Sequence, residues 1–171
     1  MNITEAGQVM TQLPSLSFPE ALKLAFNKLI VIKGRSRRSE FWWFFLFGFF
    51  INLVNLSVSK IAGFPIILEI SEFIVNLMIA PVGIRRLHDT GHSGLWYLVI
   101  LPIVLMPDPN ENTPVVLTIL IAIYALVAIC ILIVVFVFWA KDGSQEDNKY
   151  GPSPKYVSDQ EPAGEFESNR N

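Results

Sequence analysis

The run His88-Asp89-Thr90-Gly91-His92 holds the residue types that chemistry would choose first. Two histidines four apart share one face of a helix, as in the H-E-x-x-H arrangement of zinc proteases. The match is incomplete. Asp is a methylene shorter than Glu, Gly91 disfavours a continuous helix, and the chain has no third histidine. A Ser-His-Asp hydrolase built from Ser93 or Ser39 with His88 and Asp89 is equally weak, because adjacent residues on a helix point apart by about 100°. Capping of helix ends is the simpler role for Asp89, Thr90 and Ser93. No metal, cofactor or catalytic site is therefore expected, and the chain is not read as an enzyme.

The same run belongs to a longer polar block, Arg85 to Trp96, set between two apolar stretches. Only 16% of residues are charged, against about 25% in an average soluble domain. They are also segregated, with none from 41 to 58 and none from 112 to 140. Charge in hydrocarbon is costly, so a dense polar block between apolar runs marks a water boundary. These features predict a multi-spanning membrane protein with one domain's worth of chain. Cys130 is the only cysteine and lies inside an apolar run, which excludes an intrachain disulfide and suits a small hydrophobe. No basic segment runs straight into an apolar one at the N-terminus, so the first span is expected to be an uncleaved anchor.

The expected fold is all-α. Residues 1–16 read as a flexible N-terminus. Ser17-Phe18-Pro19-Glu20 reads as a capping box that opens an amphipathic interfacial helix over 17–33. A four-span membrane domain occupies 34–156, and a disordered tail follows over 157–171. The spans are expected near 41–61, 65–84, 93–106 and 115–140. The third is only about 21 Å long at 1.5 Å per residue, short of a hydrocarbon core of about 30 Å. Lysines and arginines orient the bundle by the positive-inside rule. The segment before span one has Lys23, Lys28, Lys33, Arg35, Arg37 and Arg38, and the second connection has Arg85 and Arg86. The opposite connections carry Lys60, Asp108 and Glu111. Both termini are thus expected in the cytoplasm.

Two constellations follow from this topology. On the cytoplasmic side, Arg35, Arg38, Glu40, Arg85, Arg86, His88, Asp89 and Tyr150 should share one boundary. Acids pairing with arginines there would tie helix ends together. Surplus arginines would hold an anionic headgroup or a partner. Toward the other side, Asn52 and Asn55 of span one would face Glu69, Glu72 and Asn76 of span two. That set suits interhelical hydrogen bonding, or an ion or proton site in a small oligomeric transporter or channel. Membrane lipids are the expected partners, with a protein partner or a homo-oligomer as alternatives, and nothing points to nucleic acid.

Three segments carry a family resemblance: Gly34-Arg35-Ser36-Arg37-Arg38-Ser39-Glu40-Phe41-Trp42, then Arg85-Arg86-Leu87-His88-Asp89-Thr90-Gly91, then Asn148-Lys149-Tyr150-Gly151-Pro152-Ser153-Pro154. In order and spacing they resemble the YhaH-type small inner-membrane proteins of bacteria, domain-of-unknown-function family 805, over about residues 20 to 155. The resemblance implies a multi-pass bacterial plasma-membrane protein with no established activity. The chain departs from the family pattern at His92, in its long fourth span, and in the acidic Ser144-Gln145-Glu146-Asp147. The reading is a non-enzymatic scaffold or accessory protein, with the transporter subunit as its alternative.

Overall fold

The computed structural model describes residues 2–3, 9–62, 65–99, 109 and 112–158. Four α-helices dominate it: α1 (Phe18–Asn27), α2 (Arg38–Ala62), α3 (Pro65–Asp89) and α4 (Val115–Ala140). A short 3-10 helix spans Gly94–Val99. The expected third span therefore starts as a 3-10 helix, and residues 100–106 of it lie outside the described residues.

α1 opens as the sequence expects. The Ser17 N–H donates to Glu20 Oε2 at 2.8 Å, which satisfies a donor the first turn leaves free. Its end differs from the expected 17–33, for α1 stops at Asn27. Ile30, Val31 and Ile32 are three β-branched residues in a row, which crowd a helical backbone. The carbonyls of Lys28 and Val31 instead accept hydrogen bonds from the Arg85 guanidinium.

The fold also has a small sheet that an all-α reading leaves out. β1 (Asn2–Ile3), β2 (Val9–Gln12) and β3 (Tyr156–Ser158) pair antiparallel in the order β1-β2-β3. Met10 lies opposite Ser158, and Gln12 opposite Tyr156. The segment after β2 is fixed as well. Arg37 Nη2 donates to the carbonyls of Leu13 and Pro14 at 3.0 and 2.7 Å. The Trp43 indole N–H donates to the Leu16 carbonyl at 3.2 Å. Residues 9–16 and 156–158 are thus held by partners on both sides of the chain. Residues 159–171 of the expected tail lie outside the described residues.

α2 and α3 form the longest helix contact. Phe41, Phe44, Val75, Ile79, Val82, Val135 and Trp139 are buried together where α4 joins them. The Phe41 and Trp139 ring centres lie 4.7 Å apart. The Trp139 indole N–H donates to the Gly83 carbonyl at 3.1 Å. Outside this junction α4 is bare, with 11% of its apolar window buried. The core helix of a soluble protein would instead be mostly covered. α2 over 38–59 and α4 over 115–140 are each long and apolar enough to cross a membrane.

Two helical glycines, Gly48 and Gly83, sit at close approaches inside the bundle, and they differ. A Cβ at Gly48 would come 2.6 Å from Ile79 Cδ1, the end of a buried side chain, and 3.0 Å from Cγ1 of buried Val75. A Cβ at Gly83 would come 2.8 Å from the ring of buried Tyr97 and 3.4 Å from that of Trp139. Rings held in a core cannot step aside, and overpacking costs about 1–3 kcal/mol. Gly83→Ala is expected to lower the thermal midpoint in detergent clearly. Gly48→Ala should lower it less, because the end of Ile79 can turn aside and only Val75 Cγ1 must give.

Candidate functional site

The end of the bundle where α2 begins and α3 and α4 finish is polar and buried. α3 runs on through the Arg85 block instead of stopping at residue 84, so four expected site residues lie in its last two turns. It is then closed by Gly91, whose φ is +79°. The Gly91 N–H donates to the His88 carbonyl at 3.0 Å, and the His92 N–H reaches back to Leu87 at 2.9 Å. This is a Schellman ending, which needs a residue able to adopt the left-handed region. The glycine that spoils the metal motif is thus the helix stop. His88 and His92 separate at it: His88 stacks on Tyr150 at 3.9 Å, and His92 on Phe138 at 3.7 Å.

Asp89 occupies the centre. Its Oδ1 accepts from Arg35 Nε at 2.9 Å, and its Oδ2 accepts from Arg86 Nη1. Arg86 also donates Nε to the Trp139 carbonyl at 3.0 Å and Nη2 to the Lys141 carbonyl. It therefore seats a cation on the C-terminal end of α4, where helix carbonyls lack partners. Arg35 donates Nη1 to the Glu146 carbonyl at 2.9 Å and Nη2 to that of Ser144. A second pair stands beside the first. Arg85 Nη2 meets Glu40 Oε1 at 2.8 Å, and its Nη1 holds the Lys28 and Val31 carbonyls. Side-chain exposure is 3% or less for Arg35, Arg85, Arg86 and Glu40, and 6% for Asp89.

The third motif closes over this layer. Asn148 Oδ1 accepts from the Tyr150 N–H at 2.9 Å, forming a tight turn with Gly151. Asn148 Nδ2 donates to the His88 carbonyl at 3.0 Å. The Ser144 N–H donates to the Asp89 carbonyl at 3.1 Å, and buried Ser153 donates Oγ to the Ser144 carbonyl at 3.2 Å. Arg38 stays outside, in an exposed pair with Asp142 at 3.2 Å. The structure thus brings together Arg35, Glu40, Arg85, Arg86, His88, Asp89 and Tyr150, and leaves Arg38 on their rim.

Burial pushes the Asp89 carboxyl upward, against the pull of Arg86 and Arg35. Burial also lowers His88, against its hydrogen bond to the Gly34 carbonyl. His88 Nδ1 lies 3.1 Å from that oxygen and is therefore its donor. Asp89 spends its oxygens on arginines. The two side chains address different partners, so the geometry gives them no shared reacting atom.

The other constellation does not close into a network. Glu69 is exposed, and Glu72, Asn52, Asn55 and Asn76 are half-buried. Asn76 Nδ2 donates to the Glu72 carbonyl within α3 at 2.9 Å, and Asn52 Oδ1 is buried without a partner.

Several contributors escape sequence reasoning. Gly143 is the sharpest, because a Cβ there would overlap the Asp89 carboxylate. Nothing local marks it, since the contact joins residues far apart in the chain. Asp142 and Ser144 likewise act only through the fold. Ser153 stands in the third motif, but no spacing announces its burial.

Residues 29–152 match the family model described as protein of unknown function (DUF805). The chain belongs to this family. The matched stretch contains Arg35, Glu40, Arg85, Arg86, His88, Asp89 and Tyr150, which form a clamp at this end of the bundle, and leaves the sheet and α1 outside. Inner membrane protein YhaI of Escherichia coli is 27% identical over 127 residues, covering 73% of this chain and 86% of that protein. Inner membrane protein YhaH of the same organism is 28% identical over 129 residues, covering 72% and 86%. No solved structure matches the chain.

Breaking a buried pair leaves an uncompensated charge and costs about 3–5 kcal/mol. Asp89→Asn is expected to lose about that much stability and to lower the thermal midpoint, and Gly143→Ala to follow it by displacing the carboxylate. Arg38→Ala should cost about 1 kcal/mol or less, as exposed pairs do. Thermal unfolding of the purified variants in one detergent ranks them.

The depressed His88 pKa fixes a pH trend. The unfolded imidazole takes its proton near the ordinary value, whereas the folded one resists it. Stability should therefore be complete above about pH 6.5 and decline as pH falls through and below that value. Thermal midpoints from pH 8 to 5 should show the decline in wild type and a shallower one in His88→Gln.

Proposed function

We propose that this protein is a multi-pass scaffold or accessory protein of the bacterial plasma membrane, without enzymatic activity. Four helical spans, α1 lying at the interface and both termini in the cytoplasm make up its architecture. Its polar face recognises anionic headgroups or a partner, a second copy included. The observation that carries this reading is the clamp. Three segments far apart in sequence meet at one end of the bundle, where Arg35, Arg86 and Asp89 join them. Such a joint sets the relative positions of helix ends and leaves no open, reactive centre.

Ring contacts support the interfacial placement of α1. Phe18 and Phe26 stand eight residues apart, about 12 Å along a helix. They nevertheless meet Trp43 on one side and Phe44 and Phe47 on the other, within little more than a turn of α2. α1 therefore crosses α2 steeply, as a surface helix crosses a span. The names of the two bacterial relatives support the plasma membrane as location.

Recognition falls to the rim, because Arg35 and Arg86 give every guanidinium nitrogen to a carbonyl or carboxylate, and Arg85 keeps only a buried Nε without a partner. Arg38 and Lys149 are exposed there. Native mass spectrometry after mild extraction tests the proposal. Wild type should retain phosphatidylglycerol over phosphatidylethanolamine. Arg38→Ala with Lys149→Ala should lose about fivefold in that preference per charge, at about 1 kcal/mol each. A wild type that retains neither anionic lipid, nor a protein, nor a second copy would overturn it.

A further inference from the structure

The segment between α1 and the clamp reads Lys28-Leu29-Ile30-Val31-Ile32-Lys33. Leu29 packs against the core, but Ile30 is 92% exposed and Ile32 53%. The loop is not slack. Its Lys28 and Val31 carbonyls are gripped by Arg85, and the Val31 N–H donates to the Lys28 carbonyl at 3.1 Å. A fixed loop that offers consecutive aliphatic side chains to water is unfavourable, and such a surface marks an interaction site. The apolar surface continues along α1 through Phe26, which leans on Phe44 and Phe47. These rings belong to the opening turns of the apolar stretch of α2.

Charge identifies what covers this surface. Lys23, Lys28 and Lys33 border it, and none forms an ion pair among the described residues. Aliphatic tips beside unpaired lysines suit a boundary where acyl chains meet anionic phosphates. We infer that Ile30–Ile32 is a wedge inserted into the leaflet at the polar end of the bundle, with Lys28 and Lys33 on the phosphates of anionic lipids. The inference rests on the reading of α2 as a span and is independent of headgroup binding at the Arg38 rim.

Depth-dependent quenching tests it in the full chain. Ile30→Cys and, as a water-facing control, Gln145→Cys are each made with Cys130→Ser and labelled with an environment-sensitive dye. They are placed in nanodiscs of phosphatidylcholine with or without phosphatidylglycerol. Doxyl-labelled lipid should quench position 30 several-fold more than position 145, and iodide should do the reverse. Adding Lys28→Gln and Lys33→Gln should shift position 30 toward iodide in the anionic discs and change little in neutral ones. Iodide access at 30 equal to that at 145 overturns the wedge. Protection from both quenchers also overturns it, because a protein would then cover the loop. Equal insertion with and without phosphatidylglycerol overturns the phosphate contact. Since Ile30 lies on the surface, its substitution leaves the core intact, and retained lipid in native mass spectra separates failure of the wedge from failure of the rim.

Discussion

One carboxylate shared between two guanidiniums governs this structure. Asp89 is placed by the last turn of α3, Arg86 lies one turn before it, and Arg35 arrives from the segment ahead of α2. Burying these charges is costly, and their attraction returns the cost only with good geometry and full hydrogen bonding. The surroundings meet that condition largely through backbone. Carbonyls of Trp139, Lys141, Ser144 and Glu146 take up the remaining arginine donors. Neutral oxygens at the end of α4 thereby offset a cation that no third acid neutralises. The chain around residues 139 to 151 must follow the arginines, because its carbonyls are what the arginines need.

This explains a bundle that is tight at one end and open along its length. Between helices in lipid, apolar side chains gain little by meeting each other, since the solvent is as apolar as they are. α4 is almost purely aliphatic and makes few contacts with α3. Its position relative to α3 is set by the Arg86 bonds at its last residues, together with the indole of Trp139. Polar bonds in a desolvated layer thus set a geometry that greasy surfaces would leave degenerate. The family match points the same way, for it covers the clamp and stops short of the sheet and α1. The sheet then joins chain on both sides of the clamp, by pairing β2 with β3.

Much of this was legible in the sequence because charge is scarce. With charges confined to few segments, a water boundary forces Arg35, Glu40, Arg85, Arg86 and Asp89 into company, and they do meet. The capping box at Ser17 was legible because its signal is local. Three things were not. The extent of α1 depended on Arg85, more than fifty residues away, taking the Lys28 and Val31 carbonyls. The sheet joins β2 near one end of the chain to β3 near the other, and neither strand is long enough to show a period of two. The choice between clamp and receptor turned on donor accounting. Sequence shows how many arginines are present, not how many of their N–H groups the backbone consumes.

That accounting constrains where any ligand can act. A headgroup phosphate reaching Arg86 would have to displace the Trp139 and Lys141 carbonyls from it and leave them buried without donors. Each unsatisfied group costs about 1–3 kcal/mol, so two of them offset much of what a forked phosphate contact returns. Arg35 would lose the Ser144 and Glu146 carbonyls in the same way, and with them the turn that seats Tyr150 on His88. Binding at the centre would therefore open the joint that places the helices. Binding at the rim would not, because Lys149 is exposed and Arg38 would exchange only its surface pair with Asp142. The separation has a physical origin: guanidiniums committed to backbone carbonyls hold the shape, and cations exposed at the rim are left to recognise something else.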